Sequence, residues 1–239
     1  MPKKIAIVQS NYIPWRGYFD MIRQCDEFVL YDNVQYTVRD WRNRNRIKTP
    51  SGLTWLTIPV ENSHFQTSGQ RIDETRTVDG RWARKHLATL QHAYGKAPYF
   101  RSVMDWLRPL YQELEDEPML SRINERLLRA LARELGILTR FTRSTDYLCH
   151  EPMLALEKTE RLLALCQAAT ATHYLSGPAA RDYLDEAVMN AGGVTVEWMD
   201  YSRYPDYPQL SPPFEPGVSI LDLLFCVGGE ARAFVGRPA

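Results

Sequence analysis

The sequence predicts an α/β fold: a mostly parallel sheet with flanking helices, an N-terminal β-hairpin and an inserted helical subdomain. Three observations carry this. Short apolar runs alternate with amphipathic stretches at both ends of the chain, which is the rhythm of βαβ units. The turn signal Thr49-Pro50-Ser51-Gly52 separates two alternating segments, as in a hairpin. Residues 81–136 carry apolar side chains at helical spacing.

Lys4-Ile5-Ala6-Ile7-Val8 is a short apolar run and reads as a buried strand. Pro14 keeps the following segment from continuing it. Gly17 to Cys25 is amphipathic, with Phe19, Met21 and Ile22 apolar, and predicts a helix. Glu27 to Tyr31 is a second strand, ended by Asp32-Asn33. The order strand, helix, strand implies a parallel pair. Arg42 to Lys48 and Thr54 to Val60 are the expected hairpin strands, and Leu56, Ile58 and Val60 alternate with Trp55, Thr57 and Pro59. Glu61 to Gly80 reads as a long polar loop holding His64, with a short strand at Thr75–Val78.

In the helical stretch, Trp82, His86, Leu90 and Ala93 lie about one turn apart, and Ile123, Leu127, Leu131 and Leu135 form a stripe closed by Gly136. The α/β rhythm then resumes. Thr139 to Ser144, His173 to Leu175 and Val194 to Met199 read as strands. Lys158 to Ala168 reads as a helix, and a second runs from Pro178 to Asn190. Ile220 to Phe225 is a last apolar segment. The expected organisation is residues 1–80 with the hairpin and the site, a helical insertion over 81–136, and residues 137–239 completing the first part's domain.

Composition narrows the function. The 239 residues are 44% hydrophobic, enough for a sizeable core. The formal charge is +0, so no global field draws the chain to nucleic acid, and a nucleic-acid partner is not expected. No apolar run has the length of a membrane span. The four cysteines are widely spaced and read as reduced thiols of a cytoplasmic protein. Neither they nor the five histidines show paired metal-ligand spacing, so no metal is expected. The pattern names no cofactor.

The densest polar stretch is Asp32 to Lys48. On a strand, Arg42, Arg44, Arg46 and Lys48 share one face and Asn43 and Asn45 the other. Guanidinium forks suit phosphate or carboxylate, and asparagine amides suit sugar hydroxyls or bases. The competing reading is an edge strand kept soluble by charge. Gln9 to Tyr18 follows the first strand, where open parallel sheets place their ligands. His86 is a candidate general base on a helix face, against the blander reading of a satisfied core histidine. Lys158, Ser176, Gly177 and Asp200 occupy later strand ends or helix starts.

These segments together resemble the WbqC-like protein family. The resemblance rests on Gln9-x-Asn11-Tyr12-x-Pro14-Trp15-x-Gly17-Tyr18-Phe19-Asp20, Tyr31-Asp32-x-Val34-Gln35-Tyr36 and Arg39-Asp40-Trp41-Arg42-Asn43-Arg44-Asn45. It continues in Lys158-Thr159-Glu160-Arg161, Tyr174-Leu175-Ser176-Gly177, Asp200-Tyr201, Tyr207-Pro208-Gln209 and Ser219-Ile220-Leu221-Asp222-Leu223-Leu224-Phe225. Ser10 and Cys226 depart from the family pattern, which has Pro and Asn there. The resemblance implies a role in O-antigen or other surface-polysaccharide biosynthesis, with a nucleotide-linked, often amino, sugar as substrate.

The resulting expectation is a transferase moving an acyl or aminoacyl group to an amino sugar. Arg39, Arg42 and Arg44 are expected to bind phosphate or carboxylate. Asn11, Gln35, Asn43 and Asn45 would read the sugar or donor, and Trp15, Tyr18 and Trp41 would form an aromatic wall. Gln9, Tyr12, Tyr36, Lys158, Ser176, Gly177 and Asp200 complete the expected pocket, with His86 or Asp32 as base. The alternative is a non-catalytic module binding RNA or an anionic sugar or carrier.

Overall fold

The computed structural model describes residues 2–61, 69–202 and 204–236. His64 lies outside them. Five strands form one parallel sheet in the order β5-β2-β1-β6-β7. They are β1 (Lys4–Val8), β2 (Glu27–Leu30), β5 (Arg140–Arg143), β6 (His173–Ser176) and β7 (Thr195–Trp198). The hairpin strands β3 (Arg44–Thr49) and β4 (Gly52–Thr57) pair antiparallel in a separate two-stranded sheet.

The apolar runs form central strands because both of their faces are covered. Ile5 and Ile7 enter one apolar cluster and Ala6 enters the other. Phe28 and Leu30 are likewise separated from Val29, and Leu175 from Tyr174. That alternation is the period of a strand. One cluster takes in α1 (Arg16–Arg23), α2 (Arg81–Tyr94), α3 (Phe100–Glu113), α4 (Leu120–Glu134) and α8 (Ile220–Val227). The other takes in α5 (His150–Leu154), α6 (Lys158–Ala168) and α7 (Glu186–Ala191).

Helix α4 buries the expected stripe, with Ile123, Leu127 and Leu131 at 0% exposure. It ends in a Schellman motif. Ile137 donates to the Ala132 carbonyl at 2.8 Å and Gly136 to the Arg133 carbonyl at 2.9 Å. Gly136 has φ +64°, which a glycine adopts without steric cost.

Three expectations are corrected. The helix expected from Pro178 to Asn190 is broken. A 3₁₀ segment covers Pro178–Asp182, and α7 starts afresh because the Asp185 carboxylate accepts from the Ala187 and Val188 amides. The strand expected at Thr75–Val78 is reduced to the isolated bridges Val60 to Thr77 and Arg76 to Met119. Arg42 precedes β3 and does not share the strand face of Arg44, Arg46 and Lys48.

The strand order locates the place where ligands bind in such sheets. From β1 the chain moves outward to β2 and β5, then returns to β6 on the opposite side of β1. The order reverses between β1 and β6. Connections leaving those two carboxyl ends diverge, and a crevice is left between them.

Candidate functional site

A cleft of about 550 Å³ lies at that reversal. Ile7, Val8 and Gln9 from the end of β1 and Tyr174, Ser176 and Gly177 from the end of β6 line it. Trp15, Tyr18 and Met21 enter from α1 and the loop before it, and Tyr31, Val34 and Gln35 from the segment after β2. Lys158 and Arg161 come from the first turn of α6, where spacing of three residues puts them on one face. Tyr183 and Tyr201 complete the walls.

The lining holds two cations and, among its described residues, no carboxylate and no imidazole. Lys158 Nζ stands 5.6 Å from the centre of the Tyr183 ring. Arg161 donates through Nε to the Leu156 carbonyl at 2.6 Å and also bonds the Tyr31 hydroxyl. Burial raises the Tyr18, Tyr31, Tyr174 and Tyr201 hydroxyls, Tyr201 to about 12. They therefore stay neutral and can donate or accept: Tyr18 donates to the Gln9 carbonyl at 2.9 Å, and Tyr174 accepts from Ser176. The cleft suits a ligand with an anionic group and a flat or sugar-like body.

Trp15 owes its position to Gly17. A Cβ on Gly17 would lie 2.3 Å from the Trp15 ring. The indole therefore rests across the start of α1, edge-on to Tyr201 with centroids 5.1 Å apart. The loop before it is held against its own preference. Ile13 has φ +36°, a region β-branched residues rarely enter. The Asn45 amide donates to the Tyr12 and Ile13 carbonyls, both at 3.1 Å, and the Ser219 hydroxyl donates to the Ile13 carbonyl at 2.7 Å. These bonds over-determine the strained residue.

The residues expected in the site thus divide. Gln9, Trp15, Tyr18, Gln35, Lys158, Ser176 and Gly177 line the cleft together. Asn11, Trp15, Trp41 and Asn45 line a neighbouring hollow of about 280 Å³, with Trp15 common to both. Arg44 packs over Trp55, 4.3 Å from the ring centre, and Arg39 is exposed. Tyr36 is buried, and its amide donates to the Gln70 carbonyl at 2.8 Å. Asp200 is exposed and caps the Ser202 amide at 2.9 Å.

Arg42 and Asn43 are occupied by the fold. Arg42 donates to the Gln9 side chain at 3.0 Å, to the Gln9 and Ser10 carbonyls, and to Asn11 and Asp40. Asn43 donates to the Ile58 carbonyl at 2.9 Å. Asn124 of α4 donates to Ser10 Oγ and to the Arg42 carbonyl. The cation cluster of the sequence is thus partly a clamp on the loop after β1.

Neither base candidate lines the cleft. His86 bonds the Tyr12 hydroxyl through Nδ1 at 2.7 Å and the Thr57 carbonyl through Nε2 at 3.1 Å. Nε2 must then carry the proton, and Nδ1 accepts from Tyr12. Burial lowers its pKa to about 4. Asp32 accepts from the Ser10 amide at 2.8 Å and faces a polar hollow with Asp73, Glu125 and Arg143. Burial raises its pKa to about 6. Among the described residues no three His, Cys, Asp or Glu side chains gather as a metal would need, and no helix is long and apolar enough to cross a membrane.

Arg161, Tyr31, Tyr183 and Tyr201 are cleft residues that the sequence reading did not assign to the pocket. The i, i+3 spacing of Lys158 and Arg161 was a usable signal. The three tyrosines come from three separate segments, and only the fold brings them together.

The fold and cleft define an α/β protein with a cation-bearing, aromatic-walled pocket at the reversal of a parallel sheet. The chain belongs to the WbqC-like protein family, whose pattern matches residues 9–234. It is 54% identical over 235 residues to a Mycobacterium tuberculosis (strain ATCC 25618 / H37Rv) protein named "Uncharacterized protein Rv1507c", covering 98% of this chain and 97% of that one. No solved structure matches the chain.

Proposed function

We propose that the cleft binds a nucleotide-linked amino sugar and that the protein transfers an acyl or aminoacyl group to its amine. One observation carries the reading. Lys158 and Arg161 face an aromatic-walled crevice at the sheet reversal, with no acid among the described lining residues. The cations would hold the diphosphate. Trp15, Tyr18 and Tyr201 would pack against the ring faces, and Gln9, Gln35 and Ser176 would bond the sugar hydroxyls. The resemblance to surface-polysaccharide proteins supports the amino sugar as the acceptor.

In such a transfer the sugar amine attacks the acyl carbonyl. The bond from the acyl carbon to the donor's oxygen or sulfur breaks, and the amine proton leaves with the departing atom. The absence of carboxylate and imidazole among the described lining residues favours that direct handover over a side-chain base. Asp32, raised to about 6, has the more suitable pKa of the two base candidates, but it opens on a different hollow.

Calorimetry with nucleotide-linked amino sugars tests the reading. Lys158→Ala and Arg161→Ala are each expected to weaken binding about tenfold or more, the loss of one charge-assisted contact. Equal affinity in the wild type and both variants would sink it. Mass spectrometry of the sugar after incubation with acyl donors tests the chemistry. Tight binding with no mass gain from any donor would favour a binding module.

A further inference from the structure

The hollow beside the cleft has a cation that the fold does not use. Asn11, Pro14, Trp15, Trp41, Asn45 and Arg46 line it, with Gly217. Pairing in the hairpin puts Arg44 opposite Thr57, Arg46 opposite Trp55 and Lys48 opposite Leu53, so the three cations share one face.

Their fates differ. Lys48 turns inward and donates to Gln209 at 2.9 Å and to the Ser211 and Pro213 carbonyls. Arg44 lies on Trp55 and donates to the Arg39 carbonyl. Arg46 lies 5.9 Å from the Trp41 ring centre and 5.8 Å from that of Trp55. Among the described residues its guanidinium donates no hydrogen bond and has no carboxylate within ion-pair distance. Its Nε is buried without a partner, as is that of Arg44.

Contact with an indole face leaves a guanidinium's in-plane N–H fork open. A half-buried cation with unsatisfied donors is costly unless something accepts from it. That open fork on the wall of the hollow, with Arg44 next to it on the same hairpin face and Arg39 exposed nearby, matches a multiply charged anion better than a single carboxylate. Trp15 borders both this hollow and the cleft.

We propose that the hollow is a second subsite, taking the phosphate of a phosphorylated second substrate on Arg46, with Arg44 adding charge from the same hairpin face and Trp41 and Trp15 against its body. This rests on the reading of the cleft as one of two substrate sites and supplies the other. Group transfer needs two ligands with their reactive ends adjacent, and Trp15 is where the two spaces meet.

The test uses inorganic pyrophosphate on the full chain, followed by calorimetry and tryptophan fluorescence. Arg46→Gln is expected to weaken pyrophosphate binding about tenfold or more. It should leave binding of a nucleotide-linked amino sugar within about twofold and the melting temperature nearly unchanged. Arg44→Gln, on the same hairpin face, is expected to shift pyrophosphate binding in the same direction. No pyrophosphate binding by the wild type, or binding by both arginine variants as tight as the wild type's, would overturn the subsite. So would loss of pyrophosphate binding only in Lys158→Ala, which assigns the anion to the cleft and leaves the cleft reading standing. Failure of the cleft reading shows separately, as amino-sugar affinity that Lys158→Ala does not change.

Discussion

Arg42 donates to the side-chain oxygen of Gln9 at 3.0 Å, and so ties the approach to the hairpin to the loop that leaves β1. The same guanidinium reaches Asn11 and Asp40. A residue whose type suggests ligand binding is therefore a fixture of the loop on which the cleft depends. Arg42→Ala leaves several buried acceptors without donors. It is expected to cost about 2–4 kcal/mol of folding stability, read by urea denaturation. A variant as stable as the wild type would show that the clamp contributes nothing.

Asp32 gives a pH dependence of definite sign. Its pKa rises from 3.8 to about 6, chiefly by burial. Between those values the native state holds a proton that the unfolded chain has lost. Stability is therefore greatest below about 4 and falls as pH rises through about 6. The term is on the order of 2–3 kcal/mol. Asp32→Asn should lack it, so wild type should lose stability relative to this variant between pH 4 and pH 7. Parallel pH profiles would refute the assignment.

His86 acts in the opposite direction. Burial lowers its pKa from 6.5 to about 4. In that interval the unfolded chain takes up a proton that the native imidazole refuses. The stability is complete above about 6.5 and is lost as pH falls toward 4, by on the order of 3 kcal/mol. His86→Gln removes the term, so the variant should gain stability relative to wild type as pH falls from 7 to 4.5, read as the difference between their urea midpoints at each pH. Because the His86 and Asp32 windows overlap, the wild-type profile alone understates both.

Gly17 controls the wall that the two cavities share. A methyl group there would collide with the Trp15 ring at 2.3 Å. Gly17→Ala is expected to displace the indole, shift tryptophan emission and weaken binding of nucleotide-linked amino sugars about tenfold. Stability should change by less than about 1 kcal/mol, since alanine also favours the helix. Unchanged emission and affinity would mean that Trp15 relaxes without leaving the wall.

The cleft was legible only in part. Lys158 and the loop after β1 stood out because strand ends and helix starts recur as ligand positions in parallel sheets. Arg42, Asn43 and Asn45 stood out for their chemistry. A sequence does not tell whether a fork meets a ligand or a neighbouring carbonyl, and here Gln9, Ser10, Ile58, Tyr12 and Ile13 supply the acceptors. His86 was open to both readings, and its bonds to Tyr12 and Thr57 make it a core residue.

The chain alone determined most of its strands and helices, because burial on both faces demands continuous apolar runs and burial on one face demands helical spacing. It also determined family membership, through motifs spread over nearly its whole length. Tertiary structure decided which polar groups remain for a ligand. That outcome depends on contacts between residues far apart in sequence, such as Ser219 on Ile13 and Gln209 on Lys48. Local spacing carries no trace of those distances. The fold ties Arg42 and Lys48 to its own carbonyls and side chains, and places Lys158, Arg161 and Arg46 on cavity walls, Arg161 while bonded to Leu156 and Tyr31.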